Sequence, residues 1–246
     1  MERYEQNQPL PRKACVFTFD DGWRDNLEYA QPLLKKHQIP ATLFAVTDKA
    51  GSSFRFWPNI VSELIFAKSP RLADHPILAE AANAAQQPFS KEAIAKVIRN
   101  LKQHSDESIF EALEDIDWQK GLSNVSPALM NWQELMDSHF EIGSHTSTHR
   151  RLTHWLDAEA MNHEIVTSKI SLTERIGHEA DLFCYPNGDY SQEALTLVQQ
   201  HYKAAVTTQK GVNYSHQLNP HELKRIPLHN DISDTPIRFR ARLAAW

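Results

Sequence analysis

Short apolar and β-branched runs that stop abruptly at polar clusters recur along this chain, separated by segments of helical spacing. That alternation restricts the fold more than any other feature. Ala14 to Phe19 (ACVFTF) reads as a buried strand ending at Asp20-Asp21-Gly22. A helical stretch follows from Asn26 to about His37, with Leu27, Ala30, Leu33 and Leu34 on its apolar side and Pro32 breaking or restarting it. Pro40 leads into a second strand, Ala41 to Val46. Strand, helix and strand within about forty residues make a parallel βαβ unit, because parallel pairing needs a long crossover.

The alternation lapses from Gly51 to about Ser126. Ser90 is placed to cap a helix with Ile94, Val97, Ile98 and Leu101 on one face, and Ile109, Ala112, Leu113 and Ile116 repeat the pattern. With no strand pattern and no linker composition at its borders, 51–126 reads as a mainly helical insertion in a single domain spanning 1–246. The alternation then resumes. Strands are expected at Phe140 to Ile142, Leu182 to Tyr185, Ala204 to Thr207 and Arg225 to Leu228. Helices are expected after Asn131, Asp157, Ser191 and Pro236. The fold class is α/β, a parallel sheet or barrel.

Several classes of function are excluded or disfavoured. A net charge of −5 carries no electrostatic footprint for nucleic acid or anionic lipid. Cys15 and Cys184 form no C-x-x-C pair, which argues against a disulfide framework or a cysteine zinc site. No window supplies the roughly 20 apolar residues of a transmembrane helix, and the start of the chain, MERYEQNQPLPRK, lacks the apolar core of a signal peptide. Taken literally, these features describe a cytoplasmic protein. The oligomeric state has no signature in the sequence.

Ligands of parallel α/β folds bind where strands end. Three polar clusters stand at such ends: Asp20-Asp21, Ser144 to His149, and Tyr185 to Gly188. Adjacent carboxylates repel, and a bound cation relieves that cost. His145 and His149, spaced i, i+4, would project together from a helical turn, so that two imidazoles and one carboxylate could share an ion. His154 and His163 are read as incidental.

Together these residues resemble the NodB-homology polysaccharide deacetylases, the fourth carbohydrate esterase family. Thr18-Phe19-Asp20-Asp21-Gly22 matches the first family motif, T-F-D-D-G; Ser144 to His149 (SHTSTH) carries the second, H-[ST]-x-x-H; Phe183 to Gly188 (FCYPNG) resembles the third. The resemblance implies a distorted (β/α)7 barrel of the NodB-homology type with a helical insertion, and removal of N-acetyl groups from an amino sugar or polysaccharide. It implies Asp20 as general base, Asp21, His145 and His149 as ligands of a divalent metal, and a backbone N–H near Asn187 as oxyanion donor. Zinc suits two imidazoles and a carboxylate, and nickel, cobalt or iron fit the same ligands. Trp23, Trp57 and Tyr185 are the aromatic candidates for contact with the N-acetylated saccharide.

Three departures from the family pattern stand out. The third motif's arginine falls at Cys184, and Arg225, at another strand end, is the candidate to supply that charge. No counterpart of the fourth motif's Asp-Trp pair occurs between Thr207 and Tyr214. Leu228-His229 only partly matches the fifth motif, L-x-H, which would make His229 the general acid. The competing readings are a deacetylase-like module that binds sugar without turnover, and a cyclic imide or ureide hydrolase on the same scaffold.

Overall fold

The computed structural model describes residues 14–122 and 128–244, with isolated positions 3, 6, 8 and 11. It divides into two compact units, one of 1–52 with 129–246 and one of 53–128.

The first unit is built on six parallel strands whose order in the sheet is their order in the chain. They are β1 (Phe17–Phe19), β2 (Ala41–Ala45), β3 (Glu141–Ser144), β4 (Leu182–Cys184), β5 (Ala204–Lys210) and β6 (Leu223–Arg225). Helices occupy the crossovers, and the sheet curls into a half-barrel of the expected distorted (β/α) type. The resemblance implies seven strands; six are present among the described residues, and no ladder among them joins β6 to β1. β2 is buried at all five positions, as a strand covered on both faces must be. The first and sixth strands begin later and earlier, respectively, than the apolar runs suggest. Val16 is exposed, and β6 ends at Arg225 where it had been expected to begin.

Two apolar clusters pack against this sheet. One joins Leu43, Met130, Leu135, Ile142 and Leu172; the other joins Leu152, Ile165, Phe183, Tyr185 and Val198. Local chemistry sets the helix ends. Asn131 and Glu134 form a reciprocal capping box, Asp157 and Ser191 accept from the third residue of their helices, and Gly177 ends one at φ 77°. Two wide π-turns, Asn26–Ala30 and His163–Thr167, interrupt runs that read as plain α-helix.

The second unit is helical among its described residues: Trp57–Phe66, Ala79–Ala85, Lys91–Leu101 and Asp106–Asp115, joined by 3-10 turns. Ile60, Leu64, Leu72, Leu78, Ile109 and Leu113 form its core. Residues 123–126 of the helical stretch lie outside the described residues. Among those described, no helix is long and apolar enough to cross a membrane.

Gly143 on β3 is fixed by packing. A Cβ there would fall 2.7 Å from Phe44 Cδ1 and Cε1 and 3.0 Å from the Leu182 carbonyl oxygen, at the centre of the sheet. Gly143→Ala is therefore expected to destabilise the protein by about 1–3 kcal/mol. A lower urea midpoint at unchanged slope checks this, and an unaltered midpoint refutes it.

Candidate active site

All six strands are parallel, so the residues that follow them emerge on one side of the sheet. Asp20 follows β1, His145 follows β3, Tyr185 follows β4, and Arg225 is the last residue of β6. Register keeps these ends level: Phe19 pairs with Leu43, Ser144 with both Ala45 and Phe183, and Cys184 with Val206.

Asp21 is the hub. Its Oδ1 lies 3.4 Å from His145 Nε2 and 3.4 Å from His149 Nε2, while its Oδ2 accepts from the Trp23 indole N–H at 2.9 Å. The two oxygens are thereby divided, one held by the protein and one turned to the imidazoles. His145 is buried, and its Nδ1 lies 2.8 Å from the Cys184 carbonyl oxygen, which cannot donate. Nδ1 must therefore carry a proton, and Nε2 is the nitrogen turned toward Asp21. Ligand atoms of Asp21, His145 and His149 all lie within 4.8 Å of one another.

The histidines do not meet on a helical turn. His145 to Arg151 is an irregular loop, with Thr146 at φ 68° and His149 at φ 69°. Left-handed backbone, rather than i, i+4 projection, brings the rings to a 4.9 Å edge-on separation. Asp21 (φ 73°) and Asn187 (φ 57°) share this conformation. Each such non-glycine residue costs on the order of 1–3 kcal/mol and persists only where its surroundings impose it.

Asp20 shares the neighbourhood of His145, its carboxylate lying within 4.8 Å of an imidazole nitrogen and of Cys184 Sγ, and it is gripped by Arg225. Nη1 donates to Oδ1 at 2.7 Å and Nη2 to Oδ2 at 2.8 Å, a bidentate pair between the last strand and the first. A shift of register between Val206 and Lys210 bulges β5 against β6. Within that bulge the Thr207 carbonyl accepts from Arg225 Nε at 2.8 Å, fixing the guanidinium plane.

A family model for polysaccharide deacetylases matches residues 7–206. The chain belongs to the polysaccharide deacetylase family. Solved structures similar to it include the deacetylase PplD of Streptococcus pyogenes, at TM-score 0.60 and 18% identity over 98% of this chain and 75% of that one. IcaB from Ammonifex degensii aligns at TM-score 0.57 and 16% identity, again over 98% and 75%. A polysaccharide deacetylase from Bacillus cereus aligns at 0.55 and 16%, over 98% of this chain and 54% of that one. YxkH of Bacillus subtilis (strain 168) is 32% identical over 59 residues, which spans 24% of this chain and about a fifth of YxkH.

Within this family member the electrostatics separate the two carboxylates. Burial pushes the Asp20 pKa up, but the Arg225 hydrogen bond and the His145 and Arg225 charges outweigh it and leave it lowered. Burial likewise raises Asp21, yet the His145 hydrogen bond, both imidazole charges and Trp23 bring it down to about 2. At His145 burial opposes protonation, while the Cys184 group, Asp21 and Asp20 more than offset it and raise the imidazole well above its ordinary value. The side chains thus favour positive charge where the three ligand atoms meet. Two imidazole nitrogens and one carboxylate oxygen are a donor set that suits a divalent cation, with positions left over for water and substrate.

Two of the three aromatic expectations need correction. Tyr185, a substrate-facing candidate, is fully buried; its ring stacks on Tyr190 at 4.3 Å, and its hydroxyl donates to the His221 carbonyl. Apolar β4 simply continues inward through it. Trp57, the second aromatic candidate, lies in the core of the helical unit with its N–H on Asp106. Trp23, the third, spends its indole N–H on orienting Asp21.

Asn187 sits in a left-handed turn beside Gly188, where a Cβ would lie 2.0 Å from Thr208 Oγ1. His229 is exposed; its backbone caps the helix Asn230–Ser233 through Ser233, and no hydrogen bond or ion pair joins its ring to Asp20 or Asp21 among the described residues. Sequence reasoning missed Cys184, whose carbonyl sets the His145 tautomer, and Glu164, a buried acid bonded to Thr148. A backbone carbonyl has no sequence signature, and an acid on a helix reads as solvated.

Removing the Arg225 charge leaves burial unopposed at Asp20. Arg225→Met is expected to raise the Asp20 pKa, so that its carboxylate protonates at higher pH than in the parent protein. A carbon-13 titration of the Asp20 carboxyl reads this directly. An unchanged or lower midpoint contradicts the role assigned to the pair.

Proposed function

We propose that this chain is a metal-dependent hydrolase that removes N-acetyl groups from an amino sugar or polysaccharide. One observation carries the reading: of two adjacent carboxylates, Asp21 faces both imidazoles, whereas Asp20 has both oxygens clamped by an arginine. Family membership supports the reaction class.

Asp21, His145 and His149 would hold the cation, which when bound supplies Lewis acidity toward water and an amide carbonyl. The remaining chemistry falls to the chain itself. Asp20 must be ionised before it can take a proton, and Arg225 keeps it so. Each Asp20 oxygen retains a second lone pair beyond the one that Arg225 occupies, so the clamp orients the carboxylate without silencing it. As general base, Asp20 takes the proton of the attacking water, and it is then the acid at hand to return a proton to the departing amine. His229, the acid that the resemblance implies, is the alternative donor for that step. The Asn187 backbone N–H is the proposed oxyanion donor, a contribution of roughly 3–4 kcal/mol in comparable sites. Zinc suits the donors, and nickel, cobalt or iron would serve.

Asp20→Asn is expected to retain metal and to lose turnover by at least about a hundredfold, whereas His149→Ala loses the metal itself. Metal analysis of each purified variant, paired with acetate release from N-acetylated oligosaccharides, checks both outcomes. Full turnover in Asp20→Asn removes the general-base role.

Chelation separates the metal reading from the rest. Dialysis against a chelator is expected to abolish acetate release, and added zinc, nickel or cobalt to restore it. Activity that survives complete metal removal overturns metal dependence.

A further inference from the structure

The loop that carries both histidines is held against its backbone strain by identifiable contacts. On one side, the chain after β2 donates to it: Thr47 N–H to the Thr146 carbonyl at 3.1 Å and Asp48 N–H to the Ser147 carbonyl at 2.9 Å. Inside the loop, Thr146 Oγ1 accepts the His149 N–H at 2.9 Å, and Ser144 Oγ accepts the Thr146 N–H at 3.2 Å. On the far side stands the π-turn His163–Thr167. Its wider turn sets consecutive residues inward together, so that Glu164 is 1% exposed and Ile165 0%.

Glu164 is the unusual member. A carboxylate so buried costs several kcal/mol unless it is fully hydrogen-bonded. Here both of its oxygens are engaged by one residue: Oε2 accepts the Thr148 N–H at 2.9 Å, and Oε1 accepts the Thr148 hydroxyl. Two bonds to one residue fix its backbone and side chain together. Thr148 directly precedes His149, whose φ of 69° aims Nε2 at Asp21. Thr146 and Ser147 are tied through backbone donors that substitution cannot remove; Thr148 is tied through a side chain. The neighbouring His163 adds to the same wall, its carbonyl accepting from Ser147 Oγ at 2.8 Å and its ring lying 3.3 Å from Asp48.

We propose that Glu164 is a positioning residue for the metal-binding loop, its carboxylate fixing Thr148 and thereby the backbone that presents His149 to Asp21. The inference rests on the metal reading above and deepens it. Groups that orient ligands in this way typically contribute about 10- to 100-fold in metal affinity. Glu164 touches neither ion nor substrate, so its effect passes entirely through the loop.

The experiment measures zinc affinity of the full chain by competition with a chromogenic chelator, beside the visible spectrum of the cobalt-loaded protein. Glu164→Ala is expected to weaken zinc binding about 10- to 100-fold and to alter the cobalt bands, at unchanged far-UV dichroism. Thr148→Val, which keeps the shape and drops the hydroxyl donor, is expected to weaken binding in the same direction. It adds nothing further in the Glu164→Ala background. Wild type that binds zinc while Glu164→Ala binds within about threefold of it, with identical cobalt bands, overturns the proposal alone. Wild type that takes up none of zinc, cobalt, nickel or ferrous iron overturns the metal reading and this inference with it. If Glu164→Ala fails to fold, Thr148→Val decides: unaltered zinc affinity overturns the proposal, and weakened affinity supports it.

Discussion

A guanidinium from the last strand gripping a carboxylate from the first is the contact on which the rest of this site depends. Among the described residues no backbone ladder joins β6 to β1, so the curled sheet is bridged there by side chains, through Arg225 to Asp20 and to Thr18 Oγ1 at 3.3 Å. The same contact solves an electrostatic difficulty. Two neighbouring carboxylates at one strand end repel each other, and burial makes the repulsion worse. The fold answers by giving each a different main partner: Arg225 grips Asp20, the imidazole pair faces Asp21, and the His145 charge acts on both. That division of partners is what makes two chemically identical groups distinct.

Around that division the site is assembled from strain and from restraint. Asp21, Thr146, His149 and Asn187 hold left-handed backbone at the ends of three different strands. Such conformations are imposed by well-tied surroundings, and the ties are visible: Trp23 on Asp21, Thr146 on His149, Glu164 on Thr148, and Thr208 Oγ1 donating to the Asn187 carbonyl at 3.2 Å. The scaffold itself is unstrained parallel sheet with apolar packing. Its stability and the exactness of its strand ends allow the loops to be held away from their preferred geometry.

Much of the scaffold was legible in the sequence because it follows from simple periodicities. Apolar runs marked the strands to within a few residues, and helical spacing marked the crossovers. The D-D-G and H-x-x-x-H clusters were visible as polar residues at strand ends. What was not legible depended on direction. Tyr185 continues a buried strand, and nothing in a short run of letters tells which way a ring at its end will turn. The histidine pair looked helical because its spacing is helical, whereas left-handed residues at 146 and 149 produce the same convergence by another route. The π-turns carry no compositional mark, so nothing in the sequence sets Glu164 apart from the other acids of the chain. Arg225 was named as the candidate for the missing third-motif charge, but its two-pronged grip on a carboxylate 205 positions away is defined only by the folded chain.

That separation has a consequence for how the protein comes into being. The ligand cluster draws on residues 21, 145 and 149, all of them present once β3 has joined the sheet. The clamp on Asp20 arrives only with β6. A chain halted between β4 and Arg225 would therefore hold the three proposed cation ligands and lack the guanidinium that keeps Asp20, the proposed base, ionised. In the proposed reaction the working base waits for β6, the last strand among the described residues and one of the slow, long-range contacts of a parallel topology.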